Sequence, residues 1–142
     1  TSRLYYELIE KGVAVNAYAY SMETEAPGMI GVSGSPMQGV TVAQLEKAIL
    51  EVTEKFLKEG PTQQELDRAK RMIVASEVFA RDNQMGMADW YGSMLINGES
   101  LDYIEGWDER VKAVTAAQVV AAMNKYMSGK QYVDATLLPE AK

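Results

Sequence analysis

The side chains able to do chemistry in this 142-residue chain are carboxylates, lysines, arginines, tyrosines and hydroxyls, because histidine and cysteine are both absent. That absence excludes a Ser-His-Asp triad, a Cys-His dyad and any nitrogen or sulfur ligand for zinc. Two acidic groupings remain to be weighed. Glu23 and Glu25 flank Thr24 in a segment closed by Pro27-Gly28. A glycosidase-type carboxylate pair spans a cleft about 5–9 Å wide, and a two-residue spacing on a turn builds no cleft, so these read as solvated turn charges. Asp102, Glu105, Asp108 and Glu109 lack the glycine and fixed spacing of a calcium loop and read as a wet helix face.

Three other stretches invite a functional reading. Gly31-Val32-Ser33-Gly34-Ser35-Pro36 is glycine-rich, but it lacks the Lys-Ser/Thr of a phosphate loop and runs into proline. It reads instead as a close-packed strand edge. Asn16, Tyr18 and Tyr20 share one strand face, suited either to a peptide groove or to cross-strand packing, with packing the plainer account. The methionines from Met85 to Met94 suit core filling or an interface better than an adaptable binding surface. With 14 basic against 20 acidic residues, a net charge of −6 argues against a phosphate-binding nucleic-acid surface. No apolar run approaches the ~20 residues of a membrane span, and no signal-peptide h-region is visible.

The elements that must position these groups follow from punctuation and periodicity. Ser2 to Lys11 carries Leu4, Tyr5, Leu8 and Ile9 at helical spacing and closes at Gly12. Val13 to Tyr20 and Met29 to Ser35 read as two strands of an antiparallel hairpin. Thr41 with Gln44 forms a capping box before a stripe of Leu45, Ile49, Val52 and Phe56, stopped by Gly60-Pro61. Thr62 with Glu65 opens a second helix, with Leu66, Ala69, Ile73 and Ser76 on one face. The region 82–98 reads as a broken or closely packed helix. Ser100 caps a helix through Val111, and Thr115 starts another that ends at Ser128-Gly129. Tyr132 to Leu138 is expected to form a closing strand. The order predicts an α+β fold with helices on one face of a mostly antiparallel sheet. Three strands are few for so many helices. The chain is therefore expected to be a single domain, residues 1–142, lacking a first strand and helix that lie upstream.

In this frame the residues resemble a known family. Ser2-Arg3-Leu4-Tyr5 with Leu8 and Glu10, then Thr62-Gln63-Gln64-Glu65-Leu66 with Ala69-Lys70, are similar to motifs of the insulinase (pitrilysin-like) zinc metallopeptidases. So are Val114-Thr115 with Val119, Lys125-Tyr126 and Leu138-Pro139. Each motif alone is a cap plus an apolar spacing; their shared order along the chain makes the resemblance specific. It implies repeated α/β domains whose two halves close around a chamber for unfolded peptides. It also implies a zinc site in another domain, built on an inverted H-x-x-E-H motif whose Glu is the base. A histidine-free chain then corresponds to the C-terminal non-catalytic domain, without zinc of its own and with no catalytic, cofactor or metal residue to assign. Its expected partners are the zinc-bearing domain or subunit and peptide substrate. Peptide addition to a sheet edge would belong to that zinc-bearing domain. Export to the periplasm is what the resemblance suggests for bacterial members.

One departure matters. Some members carry an Arg and a Tyr after the opening helix, reaching toward the substrate near zinc. Here those positions fall on Ile9 and Val15, which hold no charge and donate no hydrogen bond. This keeps open a structural or assembly subunit of the same lineage, with no proteolytic activity. An unrelated α+β binding module is the remaining alternative.

Overall fold

The computed structural model describes residues 2–22, 28–128 and 132–138. Its contacts divide the chain into two compact units, one of residues 1–20, 31–59 and 122–142, the other of 21–30 and 60–121.

In the first unit the chain opens on a helical turn wound more widely than an α-helix. Over Tyr5–Ile9 the hydrogen bonds skip five residues, as in Glu10 N–H to the Tyr5 carbonyl at 3.0 Å. Ser2 Oγ accepts from the Tyr5 N–H at 3.2 Å. Gly12 ends the turn at φ +70°, where the Val13 N–H reaches back to the Leu8 carbonyl at 2.8 Å. Strand β1 (Ala14–Met22) and strand β2 (Met29–Pro36) follow as an antiparallel hairpin. Its register is fixed by Met37 N–H on the Val13 carbonyl at 3.0 Å and by Asn16 Nδ2 on Ser35 Oγ at 3.2 Å.

Helix α1 (Val42–Glu59) begins at the expected capping box, with Gln44 N–H on Thr41 Oγ1 at 3.2 Å and Thr41 N–H on Gln44 Oε1 at 2.8 Å. Leu45 joins fully buried Leu8 and Ala14 to form this unit's core, with Leu4, Val13, Ala17, Ile49 and Val52 packed around it. The apolar stripe read from the sequence is thus the face that is buried.

In the second unit, helix α2 (Gln63–Arg81) starts at Thr62, whose side chain accepts from the Glu65 N–H while Glu65 accepts from the Thr62 N–H at 2.7 Å. Its inward face differs from the expected one. Leu66 is buried, but Ala69, Ile73 and Ser76 are exposed, and the covered positions are Leu66, Lys70, Val74 and Glu77. Two polar residues sit in that register, so an apolar count points to the wrong side. Lys70 keeps its charge satisfied through the Lys112 carbonyl at 2.7 Å.

The 82–98 region is one unbroken helix, α3 (Gln84–Ile96), capped by Asn83 Oδ1 on the N–H groups of Met85 and Gly86 at 3.0 and 3.2 Å. The helix expected from Ser100 through Val111 is instead two, α4 (Leu101–Glu105) and α5 (Trp107–Ala113), interrupted at Gly106. Ile104, Met94 and Val111 supply buried apolar contacts in this unit.

Helix α6 (Ala116–Met127) begins at the Thr115–Gln118 capping box. The closing strand is not formed. Residues 132–138 join no ladder, and Val133 and Leu137 are 94% and 97% exposed. An alternating sequence becomes a strand only when a neighbour accepts its hydrogen bonds, and among the described residues β1 and β2 pair with each other. The α+β class stands, with two strands where three were expected.

Candidate functional site

A grouping of charged side chains in the first unit lies where the opening turn meets α1. Arg3, Tyr6, Glu7, Val52, Lys55 and Glu59 line a shallow cavity of about 150 Å³. Arg3 reaches Glu59 at 3.4 Å and lies over the Phe56 ring, 5.2 Å from its centroid. Glu59 and Phe56 both lie more than fifty residues from Arg3 along the chain. Glu7 accepts a hydrogen bond from Lys11, one helical turn on, and stands 3.8 Å from Lys55. The Lys11 hydrogen bond and charge, with Lys55 and Arg3 behind them, hold the Glu7 carboxyl below its usual range. Cations and carboxylates alternate here, so the arrangement ties the turn to the helix and leaves no lone base or nucleophile.

The residues singled out by sequence do not converge. Asp102 and Glu105 lie on α4, while Asp108 and Glu109 open α5 and both engage Lys112, at 3.0 and 2.8 Å. Hydrogen bonds to Glu109 and Asp108 push the Lys112 ammonium pKa upward. Glu23 and Glu25 lie outside the described residues. Among the described residues no three His, Cys, Asp or Glu side chains come together as a metal site, and no helix is long and apolar enough to cross a membrane. The glycine-rich run is β2 itself. Ile9 ends the opening turn half-buried, and Val15 is 58% exposed on β1.

Two contacts were not anticipated. The Tyr20 ring lies over Gly31, so close that a Cβ there would sit 2.5 Å from its Cζ and Oη atoms. Arg110 stacks 3.6 Å from the Tyr103 ring centroid and 5.9 Å from that of Trp107, and it donates to the Tyr103 carbonyl. The second contact was readable as a spacing, since residues three and seven apart share a helical face.

The family model for the peptidase M16 inactive domain matches residues 1–73, just over half of the chain. The chain belongs to the M16 peptidase family, the group its ordered motifs resemble, and the matched part is that family's inactive domain. Its fold is shared with a crystal structure of a protease from Helicobacter pylori, at TM-score 0.77 and 22% identity over 89% of this chain. It is likewise similar to the peptidase M16 inactive domain from Pseudomonas fluorescens, at TM-score 0.74 and 26% identity over 87% of this chain. The chain spans only 30% and 29% of those two structures. No curated protein matches it. An inactive domain carries no zinc of its own, in keeping with a sequence that offers no imidazole or thiolate.

Proposed function

We propose that the chain serves as the C-terminal, non-catalytic domain of an M16-type zinc metalloendopeptidase, residues 1–142 acting as one domain of the larger enzyme. It walls the peptide chamber and packs on the zinc-bearing domain. In the intact enzyme, zinc-activated water supplied by that neighbour cleaves the peptide bond. One observation carries this reading: the match to the inactive-domain model in a chain with no histidine and no cysteine.

The test uses the purified chain alone and mixed with the zinc-bearing domain of the same enzyme. Metal content is measured by mass spectrometry, and cleavage with a quenched-fluorescence unfolded peptide. The chain alone should hold no stoichiometric zinc and cleave nothing, while the mixture should co-elute and hydrolyse. Zinc uptake or turnover by the chain alone overturns the reading. Ile9 and Val15 in place of the Arg and Tyr favour a second reading, an assembly subunit without proteolysis. Co-elution without any gain in hydrolysis would select it.

A further inference from the structure

We propose that the exposed face of α3 is the surface on which the zinc-bearing domain of the larger enzyme docks, through an apolar helix that carries a lysine or arginine. The inference rests on the reading above, that this chain is one domain of that enzyme, and adds the surface and its chemistry. At about 3.6 residues per turn, Met85, Ala88, Gly92 and Ile96 share one side of α3, and Met94 falls opposite Met85. Burial follows that division. Met94 is buried, with Met87 and Trp90 partly covered beside it, whereas Met85 and Ile96 are 70% and 80% exposed and Leu95 is exposed with them. A helix that is apolar on both sides is one that is covered on both sides. The neighbouring α2 repeats the pattern, since Met72 and Phe79 are 65% and 74% exposed with Ala75 and Ser76 between them.

The shape and charge of the face select its occupant. Large residues at either end, Met85 and Ile96, bracket Ala88 and Gly92, and a Cβ placed on Gly92 meets no atom within 4 Å. This chain's own packing therefore makes no use of the missing side chain. A helix laid across the low middle of the stripe can approach α3 closely, with the end residues packing on its flanks. Asp89, exposed beside Gly92, is the one charged residue in α3. A second copy seated two-fold on this face would set Met85 against Ile96 and bring both Asp89 carboxylates within a turn of each other. Neither α3 carries a cation to offset them, so like charges oppose that pairing. A helix with a lysine or arginine opposite Asp89 meets no such penalty. Chain to supply it is ample, because this chain spans under a third of each of the two structures that share its fold.

The experiment is calorimetric titration of the full chain with the zinc-bearing domain of the same enzyme, with urea unfolding and sedimentation of the chain alone beside it. Gly92→Leu puts a side chain into open space and removes a glycine from a helix interior, so stability should hold or rise. It should nevertheless weaken association about tenfold or more, because it fills the low middle of the docking face. Asp89→Lys changes no apolar contact and should also weaken association, by setting a cation against the partner's cation. The chain alone should sediment as a monomer. The proposal is overturned if the two proteins do not associate, or if both variants bind as tightly as the original chain. Self-association abolished by Gly92→Leu also overturns it, since the occupant would then be a second copy. Hydrolysis by a mixture in which both variants bind normally sinks this surface and leaves the proposed function standing. Zinc uptake or turnover by the chain alone sinks that function and leaves the surface standing.

Discussion

Two glycines in β2 should respond to the same substitution by different amounts, although three residues apart in one strand. A Cβ at Gly34 would lie 2.9 Å from the Asn16 backbone carbonyl oxygen, 3.6 Å from Leu45 Cδ2 and 3.7 Å from Ala17 Cα. The nearest atom belongs to the paired strand's main chain, which cannot rotate aside, so Gly34→Ala must part the strands or tilt the ribbon against α1. Overpacking of this kind costs about 1–3 kcal/mol. The reduced entropy of the unfolded chain returns about 0.4–1 kcal/mol, leaving a net loss of about 1–2 kcal/mol.

At Gly31 the clash is nominally worse, 2.5 Å, but the atoms met are the far end of the Tyr20 ring, which is already 37% exposed. The ring can swing toward solvent at a rotamer cost of about 0.5–1.5 kcal/mol, which the same entropy gain largely cancels. Gly31→Ala should therefore change stability by less than about 1 kcal/mol. Both tryptophans, Trp90 and Trp107, lie in the other unit. The comparison should accordingly be read from hydrogen exchange of the hairpin amides, with far-ultraviolet circular dichroism in urea alongside. Equal destabilisation by the two variants, or a larger loss at Gly31, would refute the close strand approach at Gly34.

Other perturbations test the remaining elements. Thr62→Ala removes the side-chain acceptor of the α2 capping box and should cost about 1 kcal/mol in urea unfolding, with Thr62→Ser restoring most of it. Glu7→Gln should destabilise at neutral pH and matter progressively less in acid. The folded-state carboxyl pKa is lowered, so its contribution is present above the ordinary carboxylate range and disappears as pH falls through the lower folded value. A wild-type-minus-variant difference in urea midpoint that is the same at pH 7 and in acid would contradict this. Arg110→Lys keeps the charge but loses the planar stack on Tyr103 and Trp107. It should cost about 1 kcal/mol and shift Trp107 emission, whereas unchanged emission and stability would discount the stack.

How much of this was legible beforehand depends on the range of the interaction that decided each feature. Thr41–Gln44, Thr62–Glu65 and Thr115–Gln118 form their boxes as read, because a cap is settled by residues three apart. The α1 stripe was readable because Leu45, Ile49 and Val52 are apolar where the helix is covered. The covered face of α2 was not, since Lys70 and Glu77 occupy inward positions, Lys70 there donating to the Lys112 carbonyl. Gly106 divides the helix from Ser100 to Val111, and its identity alone does not say whether a glycine interrupts or is merely carried.

The strand expected at residues 132–138 makes the same point most sharply. Tyr132 to Leu138 has the composition of a strand and lacks a ladder, because pairing is a property of two segments and a periodicity describes one. Function divides along the same line. The missing imidazoles and thiols are a property of composition, so the lack of any nitrogen or sulfur ligand for zinc was visible at once. The seat of the Tyr20 ring on Gly31 needed the register of β1 against β2, which the alternation of one strand does not give. A composition shows at once which ligand types a chain lacks, whereas the register of two strands belongs to neither strand's sequence alone.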